Sequence, residues 1–156
     1  MLISGCAADK TPSEPLPSQF ESDFSANVGK LEIGGHIVRN ETGIYTLTLT
    51  APKTLEGMTI NYVGNKVSTD INGVIIETPS VLFPANDFAK SVANALDTLC
   101  KTNSVSVTRT DGFIKYEASS ASSTFYVLTE QDTNNIVSLV IKSADISMNF
   151  TNFKHN

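Results

Sequence analysis

The chain has 156 residues and a net charge of −5 at pH 7, a length that suits one domain able to bury its own core. With a pI of about 4.9, it lacks the Lys and Arg clusters needed to displace counterions from nucleic acid or to adsorb to an anionic membrane. No run approaches the ~18 apolar residues of a membrane-spanning helix, and two cysteines make no disulfide scaffold.

The chain opens Met1-Leu2-Ile3-Ser4-Gly5-Cys6. The order aliphatic, small, Gly, Cys resembles the lipobox that ends a bacterial lipoprotein signal peptide. That resemblance implies a diacylglyceryl group on the Cys6 sulfur and cleavage just before it, so residues 1–5 are the remnant of a signal peptide. A basic stretch and an apolar stretch are then expected upstream of Met1. Residues 6–19 follow as a tether: Pro12, Pro15 and Pro17 among Ser, Thr, Lys and Glu cannot bury a core and favour an extended chain. Two acyl chains anchor stably where one gives only marginal binding. The expected location is therefore the outer face of the cell membrane, with the folded domain over residues 20–156.

Short strands are predicted next. Residues 24–33 read as a strand interrupted by Gly29, and Gly34-Gly35 as a turn or bulge before Ile37-Val38. Asn40 to Gly43 is a turn. Ile44 to Thr50 alternates cleanly, with Tyr45, Leu47 and Leu49 on one face, and Pro52 ends it. Gly64-Asn65 and Asn72-Gly73 are hairpin signals that delimit a meander over 58–63, 66–71 and 74–78.

The segment 83–101 is the one clear helix. Phe88, Val92, Ala95, Leu96 and Leu99 fall on one apolar stripe, while Asp87, Lys90, Asn94, Asp97 and Lys101 fall opposite. Asp97 to Lys101 has the favourable orientation of an i,i+4 ion pair. Cys100, near the edge of the stripe, reads as a small core residue.

Strands resume over 105–109 and 113–118, around Thr110-Asp111-Gly112. A polar loop spans 119–123. Residues 124–130 and 136–142 are apolar on both faces, which predicts a sheet covered on both sides there. Ile136 and Val140 read as one face, Val137, Leu139 and Ile141 as the other. Ile146, Met148 and Phe150 alternate in a last strand. About ten strands and one amphipathic helix make an α+β fold, a strongly curved antiparallel sheet or half-barrel with the helix across its concave face.

The run Leu55-Glu56-Gly57-Met58-Thr59-Ile60-Asn61-Tyr62, the meander, the single helix and the terminal Met148-Asn149-Phe150-Thr151-Asn152-Phe153 resemble the LolA/LppX-like lipoprotein superfamily over about residues 20 to 156. The resemblance implies a LolA-like half-barrel whose cavity carries lipid or acyl chains. The expected function is binding or carriage of a hydrophobic ligand between sheet and helix. Leu47, Leu49, Met58, Ile60, Phe88, Val92 and Leu96 are the candidate cavity residues. The alternative is a protein-interaction or sensor module of the envelope, with those same residues filling a closed core.

No catalytic constellation is legible, so no enzyme and no cofactor are expected. His36 and His155 lack metal-ligand spacing with Cys, Asp or Glu and read as surface or turn residues. The carboxylates are scattered over turns and strand ends. The Ser residues near 120 lack a nucleophile elbow.

Overall fold

Turns with positive φ lay out much of the chain. Asn72-Gly73 (54° and 84°) and Asp111-Gly112 (44° and 84°) have both central residues left-handed, the type I′ geometry whose twist matches that of paired strands. The computed structural model of the protein describes residues 15–77, 84–101, 105–120 and 123–156. The lipobox, Cys6 and the expected helix start at Phe83 lie outside these residues.

The elements in chain order are β1 (Phe20–Val28), β2 (Leu31–Glu41), β3 (Ile44–Ala51), β4 (Thr59–Val63), β5 (Lys66–Ile71), β6 (Val74–Ile76), α1 (Pro84–Lys101), β7 (Ser106–Thr110), β8 (Phe113–Ser120), β9 (Ser123–Glu130), β10 (Ile136–Ile141) and β11 (Ile146–His155). The eleven described strands form one open antiparallel sheet in the order β6-β5-β4-β3-β2-β1-β11-β10-β9-β8-β7. Every neighbour in that order is also a neighbour in sequence except β1 and β11, which join the two halves. The helix connects the two edge strands and packs on strands from both halves, among them β3, β4, β8 and β10.

Several local expectations change. The strand expected over 24–33 is a hairpin: Gly29, with φ of 58°, turns the chain between β1 and β2. Gly34-Gly35 is no turn: it lies inside β2, opposite a bulge at Thr50 of β3 where the register slips. A methyl group at Gly35 would collide with the Thr48 carbonyl and the Phe24 ring, so the backbone lies against an aromatic face that only glycine admits. A second slip, between Ile136 and Ser138, puts Leu139 and Ile141 on the buried side with Ile136, where strict alternation separates them.

The core is one continuous cluster from Leu16 to Phe150 on the helix side of the sheet. Among the described residues, strands β9 and β10 are covered on that side only. Their outward Tyr126, Leu128, Val137 and Val140 are half-buried, and Lys115 lies with its Nζ 4.6 Å from the centre of the Tyr126 ring. Long neighbouring side chains, such as Lys115, shelter these apolar positions. Leu16, inside the stretch read as tether, is 1% exposed, so the packed unit begins before residue 20.

Gly35→Ala should lower stability by about 1–3 kcal/mol through overpacking, and Leu96→Ala, from a fully buried position, by about 2–5 kcal/mol. Urea unfolding of both variants checks these values; a neutral Gly35→Ala would show that the bulge has room to relax.

Candidate functional site

Helix α1 is buried around a little more than half its circumference: Phe88, Ala89, Val92, Ala93, Ala95, Leu96, Asp97 and Leu99 all lie in the interior. At 100° per residue these positions span more than one stripe. Small side chains on the flank, Ala89 and Ala93, let the helix approach the sheet closely, and this carries Asp97 inward. The expected exposed Asp97–Lys101 pair is therefore replaced by a buried arrangement.

In that arrangement Tyr45 donates its hydroxyl to Asp97 Oδ1 at 2.5 Å, and Arg39 Nη2 lies 3.5 Å from the same oxygen. Arg39 is 0% exposed. Its Nη1 donates to the Pro17 carbonyl at 2.7 Å, and its Nη2 also faces Thr42 Oγ1 at 3.0 Å and Cys100 Sγ at 3.4 Å. Burial pushes the Tyr45 hydroxyl well above its ordinary range, and its bond to the Asp97 carboxylate adds to the shift. The hydroxyl thus stays a donor. Burial works against the Arg39 charge, yet its neighbours, Asp97 among them, raise its pKa overall. Cys100, expected in the core, is exposed and touches this cluster from the rim.

The sequence carries a faint signal for both charges. Arg39 continues the inward alternation of Ile33, Gly35 and Ile37 along β2, and Asp97 follows the buried Ala93 by four residues. An inward register occupied by a charge marks a partner waiting on the facing element.

The seven candidate cavity residues, Leu47, Leu49, Met58, Ile60, Phe88, Val92 and Leu96, are all buried in the single core cluster, each at most 6% exposed. None of them lines either of two open hollows. One, of about 400 Å³, lies between Ser91, Asn94, Ala95 and Thr98 of the helix and the Phe125, Ile141 and Ser143 end of β9 and β10. The other, of about 350 Å³, sits on the sheet around Ala26, Glu32, Gly34 and Ala51. Asn94 Oδ1 accepts a hydrogen bond from the Tyr62 hydroxyl at 2.8 Å, so the helix face expected to be free is tied to β4.

On the opposite side of the sheet His36 is held in β2, its Nδ1 2.8 Å from Asp23 Oδ1 and its Nε2 4.0 Å from Glu21. Asn152 and His36 hold the Asp23 carboxyl below its ordinary range, and Lys154 does the same for Glu21. His155 pairs with Asn135 at 2.7 Å. Among the described residues no group of three or more His, Cys, Asp or Glu is placed to hold a metal ion, and no helix is long and apolar enough to cross a membrane.

Among the described residues the two most exposed large apolar side chains lie on an edge strand, while Val63 on β4, Phe113 on β8 and Leu31 on β2 are exposed on inner strands. Val74 (62%) and Ile75 (69%) lie on edge strand β6, and Val107 (44%) lies on edge strand β7.

No family model matches the chain, and no curated protein matches it in sequence. Solved structures share its fold. An uncharacterized conserved protein from Thermus thermophilus matches with a TM-score of 0.52 at 9% identity, over 91% of this chain and 81% of that one. A chain in the structure of the CwlD amidase from Clostridioides difficile in complex with the GerS lipoprotein matches with a TM-score of 0.52 at 16% identity, over 87% and 84%. A LolA superfamily protein from Nitrosomonas europaea gives a TM-score of 0.46 at 10% identity, over 94% and 88%. The architecture expected from the sequence is the one observed in its outline: an open antiparallel sheet of the described strands with one helix laid on it.

Replacing Asp97 with Asn should cost about 3–5 kcal/mol, because it leaves the buried Arg39 charge without its carboxylate. Tyr45→Phe removes one hydrogen bond to a charged group and should cost about 1.5–3 kcal/mol. Equal stability of Asp97→Asn and wild type in thermal unfolding would mean that the Arg39 charge is compensated elsewhere.

Proposed function

We propose that the chain is a non-catalytic, lipid-anchored module of the bacterial cell envelope that docks a protein partner on an apolar edge of its sheet. One observation carries this reading: the candidate cavity residues all belong to one buried core cluster and line neither hollow, while apolar side chains stand exposed on edge strands. A cavity and a core use the same residue types and differ in volume. Here Leu47, Leu49, Met58, Ile60, Phe88, Val92 and Leu96 pack on one another, with the helix seated among strands of both halves of the sheet. An edge strand with free N–H and C=O groups and apolar side chains is a template for an added strand, and Val74-Ile75 on β6 supplies it. The CwlD–GerS structure, a complex of an enzyme with a lipoprotein that contains a chain of this fold, is a precedent for partnership between proteins. Ser4-Gly5-Cys6 supports the anchor.

A second reading, carriage of a lipid or other hydrophobic ligand, draws on the hollow beneath the helix, whose Phe125 and Ile141 floor is apolar. Its volume lies at the low end of ligand pockets, and Ser91, Asn94, Thr98, Ser123 and Ser143 make its rim polar.

Two measurements test these points. Expressed behind a complete signal peptide, the protein should fractionate with membranes, and its Cys6→Ala variant should stay unprocessed or appear in the soluble fraction. Cleaved, soluble wild-type protein would remove the anchor.

For the docking edge, a photo-crosslinking residue at position 75 should give a discrete protein adduct in cells, abolished by Val74→Lys. Purified without detergent, the protein should carry no lipid in native mass spectrometry, and Val92→Phe should destabilise it by about 1–3 kcal/mol. A stoichiometric lipid, together with a neutral Val92→Phe, would replace docking with carriage.

A further inference from the structure

We propose that residues 15–17 act as a strap whose seating controls how firmly the C-terminal half of helix α1 is held, with Arg39 as the coupling residue. Leu16 is 1% exposed and belongs to the core cluster. The carbonyl of the next residue, Pro17, receives Arg39 Nη1 at 2.7 Å, a length typical of charge-assisted hydrogen bonds. The other arm of the same guanidinium reaches Asp97 Oδ1 at 3.5 Å and Cys100 Sγ at 3.4 Å on the helix, and Thr42 Oγ1 at 3.0 Å on the turn after β2.

The guanidinium is planar and rigid, so its two arms cannot be repositioned independently. Withdrawal of Leu16 takes the Pro17 carbonyl away and leaves a buried cation with one arm unsatisfied, which is costly at zero exposure. The group then turns toward water and pulls its second arm off Asp97 and Cys100. The consequence is local. Asn94 to Lys101 loosens, and this segment includes the Asn94, Ala95 and Thr98 wall of the 400 Å³ hollow. The strap begins nine residues after Cys6, so a pull on the amino-terminal segment, or its capture by another molecule, is transmitted to the helix. The coupling itself does not require that Cys6 be lipidated, nor that β6 be a docking edge.

Cys100 is a built-in reporter, because its exposed sulfur lies beside Arg39. The test uses the full chain with Cys6→Ser, so that Cys100 is the sole thiol. It compares wild-type Leu16 with Leu16→Ala and with Ile146→Ala, a core change at the start of β11. Amide hydrogen exchange is followed over Asn94 to Lys101 and over β9–β11, together with the rate of Cys100 maleimide labelling.

Leu16→Ala should accelerate exchange in Asn94 to Lys101, and thiol labelling, by about tenfold, and leave β9–β11 near wild type. Ile146→Ala should not show that pattern. Adding Arg39→Lys, which cannot grip both sides, should accelerate the same segment with Leu16 intact and make Leu16→Ala add little further, the sign of a coupled pair. Acceleration spread evenly over the sheet, or an unchanged helix, would overturn the strap. Should Arg39→Lys fail to fold, the localisation of the Leu16→Ala effect decides alone.

Discussion

A guanidinium with no exposed surface sits where the amino-terminal segment, the sheet and the helix meet, and the arrangement of the interior follows from satisfying it. Arg39 projects inward from β2 because the period of two leaves no other side for it. A charge in that position demands carboxylate and carbonyl partners. Asp97 supplies the first and is itself held by the Tyr45 hydroxyl at 2.5 Å; Pro17 supplies the second. An apolar core alone would allow the helix to slide or roll over a greasy surface. Directional bonds to one carboxylate fix its rotation and its height, and they explain why the helix is buried beyond its apolar stripe.

The same cluster marks the limit of what residue patterns reveal. The hairpin turns are legible because Asn-Gly and Asp-Gly are almost the only residues at ease with two consecutive left-handed conformations. The apolar stripe of the helix and the inward faces of β3, β4 and β11 are legible for a similar reason: periodicity and burial agree there. Where a bulge intervenes they part. The slip at Val137 adds a residue to β10 and exchanges the faces downstream, so strict alternation puts Leu139 and Ile141 on the wrong side. Asp97 escapes a helical wheel, which ranks positions by polarity, because its burial is decided by a partner fifty-eight residues away. Leu16 is hidden in a proline-rich composition that looks unable to pack, since one leucine is enough to fill one slot.

For the docking function proposed above this division has a meaning. On that proposal the recognition surfaces lie at the sheet margins, and the two margins here differ. Strand β6 is short and carries Val74 and Ile75, while β7 is exposed along its whole length and is mostly polar, with Arg109 near its end. The helix bridges from one to the other. Its seat and the availability of both edges therefore belong to one mechanical unit.

The pairing of β1 with β11 has a kinetic consequence. Each half of the sheet is a run of neighbouring hairpins that close quickly, yet the seam between the halves joins Phe20 to His155 and Val28 to Ile146. That ladder cannot form until β11 has left the ribosome. Until then the chain holds two half-sheets, each with an apolar face and an unpaired inner edge, a state open to mispairing. Closure over so long a separation carries the entropy cost that makes high-contact-order folds slow. The final strand thus acts as a latch: the earlier strands assemble locally, and the molecule becomes one body when β11 slides in beside β1.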